Sequence, residues 1–338
     1  MTAENTTTLP ASAVAPATRP GSNEATIAMV DELCLRYRNW GRWGDADERG
    51  TLNFITPAAL VAASKLVQKG RVVSCALPFD GDGPQSGNFG GRTNPVHWML
   101  QDGGDIALGA QDHLDVLRYT DDAVTMPLQS GTQWDALAHI FYRGQMYNGH
   151  GLEKVTSTGA TVNSIDKIST GVVGRGVLLD MPRHLGTSWL GAGHAISSAD
   201  LDECAAKQSV EIRSGDIVLV RTGQIAQVRS EKRWGEYDSG PAPGLGVDAA
   251  HWFVRNEIAA LATDTWGMEV QPNDTPGVFQ PLHLILLVNA GMTIGEIFDL
   301  EALAEACEEE GRYDFFFTAP PLPISKAVGS PVNPLAIF

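Results

Sequence analysis

The sequence predicts an α/β protein whose strands and helices mix without a strict βαβ alternation. Three observations carry that expectation. Hydrophobic residues make up 43% of the 338 positions, which supplies a sizeable core and rules out wholesale disorder. Short apolar runs rich in β-branched residues, such as Asp216 to Arg221, are interspersed with segments whose apolar residues recur at helical spacing. No self-similarity recurs at the periods of solenoids or propellers. The length suits a single domain over 27–338. Residues 1–26 are mostly Thr, Ala, Pro, Ser and Asn, so they bury too little to offset ordering entropy and are expected to form a disordered tail. They lack a basic stretch and a continuous apolar stretch, so a secretory signal is not expected.

The elements follow in order. Ile27 to Trp40 carries a helical stripe of Ile27, Val30, Leu33, Cys34 and Tyr37. Thr56 caps and Pro57 opens a second helix, through Val67, which Gly70 ends. Arg71 to Phe79 reads as a strand. Residues 80–96 form a long irregular loop, a feature often functional in compact domains. The stretch around Gly103 to Gln111 is rich in turns, and Val124 to Leu128 is a short apolar run. Strands are expected at Val172 to Met181, Asp216 to Arg221 and Ile258 to Thr263. Helices are expected at Ser198 to Gln208 (Ser198 as cap), Val247 to Glu257 and Leu300 to Glu310. Phe315 to Leu322 ends in Pro320 and Pro321 and is expected at a sheet edge.

Charge and motif content exclude several classes. Lys plus Arg is 24 against 40 Asp plus Glu, a net charge of −16, which argues against nucleic acid or an anionic membrane as partner. No apolar run approaches the roughly 20 residues needed to span a bilayer. Cys34, Cys75, Cys204 and Cys307 are far apart with no CxxC pair and read as reduced, buried thiols, which points to the cytoplasm. There is no GxGxxG after a strand, no phosphate-binding loop and no GxSxG elbow, so no nucleotide cofactor is expected.

The densest polar constellation is Gln129-Ser130-Gly131-Thr132-Gln133-Trp134-Asp135-Ala136-Leu137-Ala138-His139. Asp135 and His139 stand four apart, which on a helix puts both on one face. A carboxylate and an imidazole so placed can act as a base and its orienter, or as two metal ligands. Gln129 and Gln133 can donate amide N–H bonds to a substrate carbonyl. Trp134 can stack on a flat substrate. Thr132 suits a turn cap or a substrate contact. His97 and Trp98 follow the long loop and are pocket candidates, as is Tyr142. Asp264, Trp266 and Glu269 end a strand and are candidate pocket walls. His113, His150, His184, His194 and His251 are assigned to structure or surface, with His251 on an apolar helix at a core or interface position.

These residues carry a resemblance. QSGTQWDALAH resembles the motif HxGTHxDxPxH of the cyclase family, which includes bacterial kynurenine formamidases and isatin hydrolases. Gly131, Thr132, Asp135 and His139 match; Gln129 and Gln133 replace the two leading His, and Leu137 replaces Pro. The later run from His283 to Glu296 is similar to the family's His and Glu segment. The resemblance, over roughly residues 70 to 300, implies a swivelling β/β/α fold with mixed sheets and peripheral helices, usually in dimers or tetramers. It implies hydrolysis of an amide, lactam, imide or lactone bond in a small cyclic or aromatic carbonyl compound, with His139 as the proton-transfer group.

Two mechanisms stay open. In one, Asp135, His283 and Glu296 hold a single zinc or manganese ion. In the other, no metal is needed: Asp135 orients His139 to activate water, while Gln129 and Gln133 hold the carbonyl. His283, His97, Trp98, Trp134, Thr132 and Tyr142 would line the substrate site. A lyase or cyclising dehydratase on the same scaffold, and a small-molecule binder without turnover, are the alternatives.

Overall fold

The computed structural model describes residues 24–338. Its main sheet has nine strands: β1 (Val72–Ser74), β2 (Gln133–Asp135), β3 (Val173–Asp180), β4 (Ile217–Arg221), β5 (Ala260–Thr263), β6 (Thr293–Glu296), β7 (Asp314–Thr318), β8 (Gly329–Pro331) and β9 (Leu335–Ile337). Their spatial order is β1-β9-β7-β3-β4-β5-β6-β2-β8. The central four, β3 to β6, run parallel. The outer strands join antiparallel, with β7, β9 and β1 on one side and β2 and β8 on the other.

Parallel strands covered on both faces read as continuous apolar runs, and the central strands do so. Val177, Leu179, Val218, Val220 and Leu261 face one buried layer, which includes Leu282, Ile285 and Leu286. Leu178, Ile217, Leu219, Ala260 and Ala262 face the other, which includes Trp134, Phe298 and Leu303. Helices Ser198–Lys207, Ala249–Arg255 and His283–Ala290 cover the first face, and Glu301–Glu310 covers the second. Arg221 at the end of β4 pairs with Asp180 of β3 at 2.8 Å and with Glu301 at 2.8 Å, tying that helix to the strand ends.

Several elements depart from expectation. The first helix spans Glu24–Arg36, so three residues of the expected tail are helical; the rest of that tail lies outside the described residues. Thr56 caps the second helix as expected, but the helix ends at Ser64, before Gly70. The strand expected over 71–79 shrinks to β1. Ser197, not Ser198, caps helix Ser198–Lys207, because its hydroxyl accepts the Asp200 N–H while Asp200 bonds back. β7 is interior, not an edge: Pro320 and Pro321 lie beyond its last residue, so neither ladder is interrupted. Gly103–Ala107 is a short helix that Asp102 caps. The side chain of His251 is exposed, not buried, and its ring meets the Tyr37 hydroxyl at 3.2 Å. All four cysteines are free and buried. Among the described residues no helix is long and apolar enough to cross a membrane.

Candidate active site

The constellation at 129–139 is strand and turn, not helix. Gln133–Asp135 forms β2 between β6 and β8. Alternation along a strand puts Gln133 and Asp135 on one face and Trp134 on the other. Glu296 of β6 lies directly opposite Gln133, so both share a face, and the Gln133 Nε2 donates to Glu296 Oε2 at 2.9 Å. His139 comes back to Asp135 through the turn after β2, its Nε2 at 3.7 Å from Asp135 Oδ1.

His283 enters this face from the first position of the wide-wound helix His283–Ala290. Such i→i+5 segments are rare and recur at functional sites. Glu269 holds it: its carboxylate accepts the backbone N–H of Leu282 and of His283, each at 3.0 Å, and meets His283 Nδ1 at 2.7 Å. A carboxylate accepts only, so the bond at Nδ1 fixes a proton there and leaves Nε2 facing the cluster. That Nε2 lies 3.2 Å from Glu296 Oε1 and 3.8 Å from Asp135 Oδ2.

Burial makes the charges unbalanced. Asp135, Glu269, Glu296 and His283 are all buried, so three carboxylates surround one imidazole away from water. Desolvation, followed by the Asp135 charge, pushes the Glu296 carboxyl up. Burial pulls the His283 imidazole down, but hydrogen bonds and charge from Glu269 and Glu296 outweigh it and raise it to about 10. Burial leads the Glu296 shift, and the crowding of carboxylates adds to it and drives the His283 shift.

A divalent cation would offset that crowding, and the residues fit one. One nitrogen of His283 and one carboxylate oxygen each of Asp135 and Glu296 lie within 4.8 Å of one another. Asp135 Oδ1 and Gln133 Oε1 are buried with no hydrogen-bond partner, so acceptors stand idle where a cation would use them. One imidazole with two carboxylates suits zinc or manganese and leaves positions open.

The Cyclase family model matches residues 45–270, a span that contains Gln129 to His139 and Glu269. A crystal structure of a protein described as a novel cyclase is similar at 39% identity, with a TM-score of 0.81, over 90% of this chain and 99% of that chain. The chain belongs to the Cyclase family. Isatin hydrolase A from Labrenzia aggregata, bound to benzyl benzoate, is similar at 20% identity and a TM-score of 0.58, over 82% of this chain and 96% of that chain. Isatin hydrolase A from Ralstonia solanacearum is similar at 18% identity and a TM-score of 0.58, over 83% and 95%. At those identities the likeness is one of fold. A comparison with curated proteins finds no match.

The expected site residues divide. Asp135, His139, Gln133, His283 and Glu296 converge. Gln129 joins them through Gly329, the cross-strand partner of Asp135: a Cβ there would stand 2.4 Å from Gln129 Nε2. That Nε2 is buried with no partner. One N–H of the Gln133 amide is given to Glu296, which ties this side chain to the carboxylate cluster.

Trp134 does not line the site. It is fully buried on the opposite face, 5.1 Å from Phe298, with its indole N–H donated to Ala319 O at 2.9 Å. Thr132 is a buried clamp: its hydroxyl donates to Ile297 O at 2.6 Å and accepts from Leu77 N at 2.9 Å. His97 and Trp98 lie on an exposed two-stranded ribbon, Val96–Gln101 with Asp121–Thr125, where His97 Nε2 meets Asp122 Oδ2 at 2.7 Å. Tyr142 donates to Asp31 at 2.5 Å beside Arg143. Asp264 accepts from Thr222 and Gly223, a structural role at the end of β5. Sequence reasoning had Glu269 only as a pocket wall, because nothing in the local pattern links it to a His on another element.

Proposed function

We propose that this protein is a metal-dependent hydrolase that opens an amide, lactam, imide or lactone bond of a small cyclic or aromatic carbonyl compound. The observation that carries the reading is the Glu269-held imidazole of His283, which faces Asp135 and Glu296 within ligand distance of one cation. Asp135, His283 and Glu296 would hold the ion. A bound divalent ion acidifies water and polarises a carbonyl oxygen. The likeness to proteins named isatin hydrolases supports a cyclic substrate.

His139 is the proton carrier. Its side chain keeps 18% exposure, so it borders both the buried cluster and the open side. It accepts a proton from the attacking water, whose oxygen bonds to the carbonyl carbon. The C–N or C–O bond then breaks, and His139 returns the proton to the departing nitrogen or oxygen. Gln129 Nε2, buried and unpaired against Gly329, the cross-strand partner of Asp135, donates to the carbonyl oxygen as it gains charge.

The test is elemental analysis of the purified protein, joined to a screen of lactams, imides, lactones and aryl amides in water labelled with oxygen-18. The expected result is about one zinc or manganese per chain, label in the product, and loss of both on His283→Ala. Full turnover by a metal-free preparation would sink the metal-dependent reading. Turnover without incorporated label would replace hydrolysis by elimination or cyclisation.

A further inference from the structure

The long loop over 80–96 brings one arginine to the edge of the site. The loop is tied down rather than loose. Asn94 accepts the Gln85 N–H at 2.8 Å and donates to Gln85 O at 3.1 Å. Asp238 accepts from the Ser86 N–H at 2.7 Å. These contacts present Phe89 and Arg92 to Trp266: the Phe89 and Trp266 rings meet edge-on at 4.7 Å, and Phe279 lies 6.3 Å from Phe89. Together with Glu269 these three rings wall a cavity of about 180 Å³. Since Glu269 also grips His283, the cavity adjoins the cluster.

Arg92 sits over both Phe89 and Trp266, its guanidinium carbon 5.3 Å from each ring centre. Its other partners are missing. The half-buried or buried Arg175, Arg183 and Arg221 all pair with carboxylates, whereas among the described residues the Arg92 side chain has neither an ion pair nor a hydrogen bond. Stacking engages the guanidinium face and leaves the N–H edge free. Its charge reaches both His139 and Glu296, yet no carboxylate of the cluster comes within ion-pair distance. The chain thus presents an unspent planar cation on an aromatic wall, next to the reacting centre but apart from it.

We propose that Arg92 is a specificity residue that recognises a carboxylate carried by the substrate, separate from the bond that is cleaved, with the ring of the substrate against Phe89, Trp266 and Phe279. The substrate class is thereby an anionic aromatic or cyclic compound. Arg92 offers two parallel N–H donors to two carboxylate oxygens, a fit that a neutral amide cannot match. The location of the cleaved bond rests on the hydrolase reading; the recognition of a carboxylate does not.

The experiment is equilibrium binding, so turnover does not enter it. Benzoate and benzamide are titrated separately into the purified protein and into Arg92→Met and Arg92→Gln, with heat as the readout. Arg92 is half-buried and unpaired, so these variants are expected to fold. The expected result is that wild type binds benzoate tighter than benzamide by about tenfold or more, and that both variants lose this preference while benzamide affinity hardly moves. A stacking role alone would weaken both probes alike and overturns the proposal. So does a benzoate preference that survives in the variants, since a cation other than Arg92, such as a metal ion held by Asp135, His283 and Glu296, would then bind the carboxylate. Absence of benzoate binding to wild type overturns it too. Loss of hydrolysis in the screen above, with the benzoate preference intact, would remove the hydrolase reading and leave Arg92 as an anion reader.

Discussion

Glu269 grips His283 three ways, through its ring Nδ1 at 2.7 Å, its own backbone N–H at 3.0 Å and the N–H of Leu282 at 3.0 Å. All three are donors, so only a carboxylate satisfies the set. In Glu269→Gln the amide NH2 must face one of them. With the amide oxygen kept on the two His283 donors, the NH2 faces the Leu282 N–H, and the bond to Nδ1 loses its charge assistance, so the imidazole is held less firmly toward Asp135 and Glu296. Metal affinity is expected to fall about 10- to 100-fold, read by competition with a chromogenic chelator. Activity should return at saturating metal. Unchanged affinity would show that Glu269 only shapes the helix start.

Trp134 separates core from site. Trp134→Phe removes the bond to Ala319 O and part of the contact with Phe298, for a loss of about 1–3 kcal/mol. Trp134→Ala is expected to cost about 3–5 kcal/mol. The Phe variant should melt at lower temperature and keep its KM. A raised KM with unchanged melting would return Trp134 to the substrate site.

The central sheet was legible in the sequence for a physical reason. A parallel strand buried on both faces must be apolar at every position, and Ile217 to Val220 meets that condition locally. The Thr56 cap was legible too, since a cap bonds within its own turn. β2 was not. Gln133, Trp134 and Asp135 offer three residues with polar groups on both sides of a Trp, and Asp135 and His139 happen to stand at helical spacing. What makes the segment a strand is β6, whose Glu296 lies 163 positions from Gln133, and β8 beyond it. The expectation that Trp134 stacks on a substrate rests on its nearness to Asp135 in sequence, and strand alternation turns neighbours to opposite faces. Asp135 and His139 stand out by their chemistry, and His283 and Glu296 by the resemblance of their segment to the family's, so the structure could bring the four together without any of them having been placed on the right element. Arg92 carried no signal, since an unpaired arginine is a property of the folded surroundings.

The pH dependence follows from His139. Burial is the largest influence on its imidazole and lowers its pKa from 6.5; Asp135 opposes this, while Arg92 and His283 add to it. The base is the neutral ring, so it remains competent below pH 6.5, and kcat/KM should fall only as pH drops through the lowered value. The stability sign is the same. Below 6.5 the unfolded chain takes up a proton at this residue before the folded one does, so stability falls with falling pH across that window. His139→Gln should remove the acid limb of any residual rate profile. A limb that stays in the variant would belong to another group.

Gly329 tests the carbonyl donor without touching it. The position faces Asp135 across the β2–β8 ladder, and a Cβ would meet Gln129 Nε2 at 2.4 Å and Cδ at 3.2 Å. The far end of a glutamine can swing away, but the Trp134 carbonyl oxygen 3.2 Å from the added Cβ is backbone and must give by a few tenths of an ångström, so melting is measured alongside turnover in Gly329→Ala. The swing takes the unpaired amide from its place against Gly329. If that amide stabilises the developing oxyanion, kcat should fall in Gly329→Ala nearly as far as in Gln129→Ala, by about 100-fold. The double variant should then be no slower than Gln129→Ala alone, because the two substitutions remove one interaction. Additive losses in the double variant would mean that Gly329 acts through the backbone of β8 and that Gln129 is not the donor.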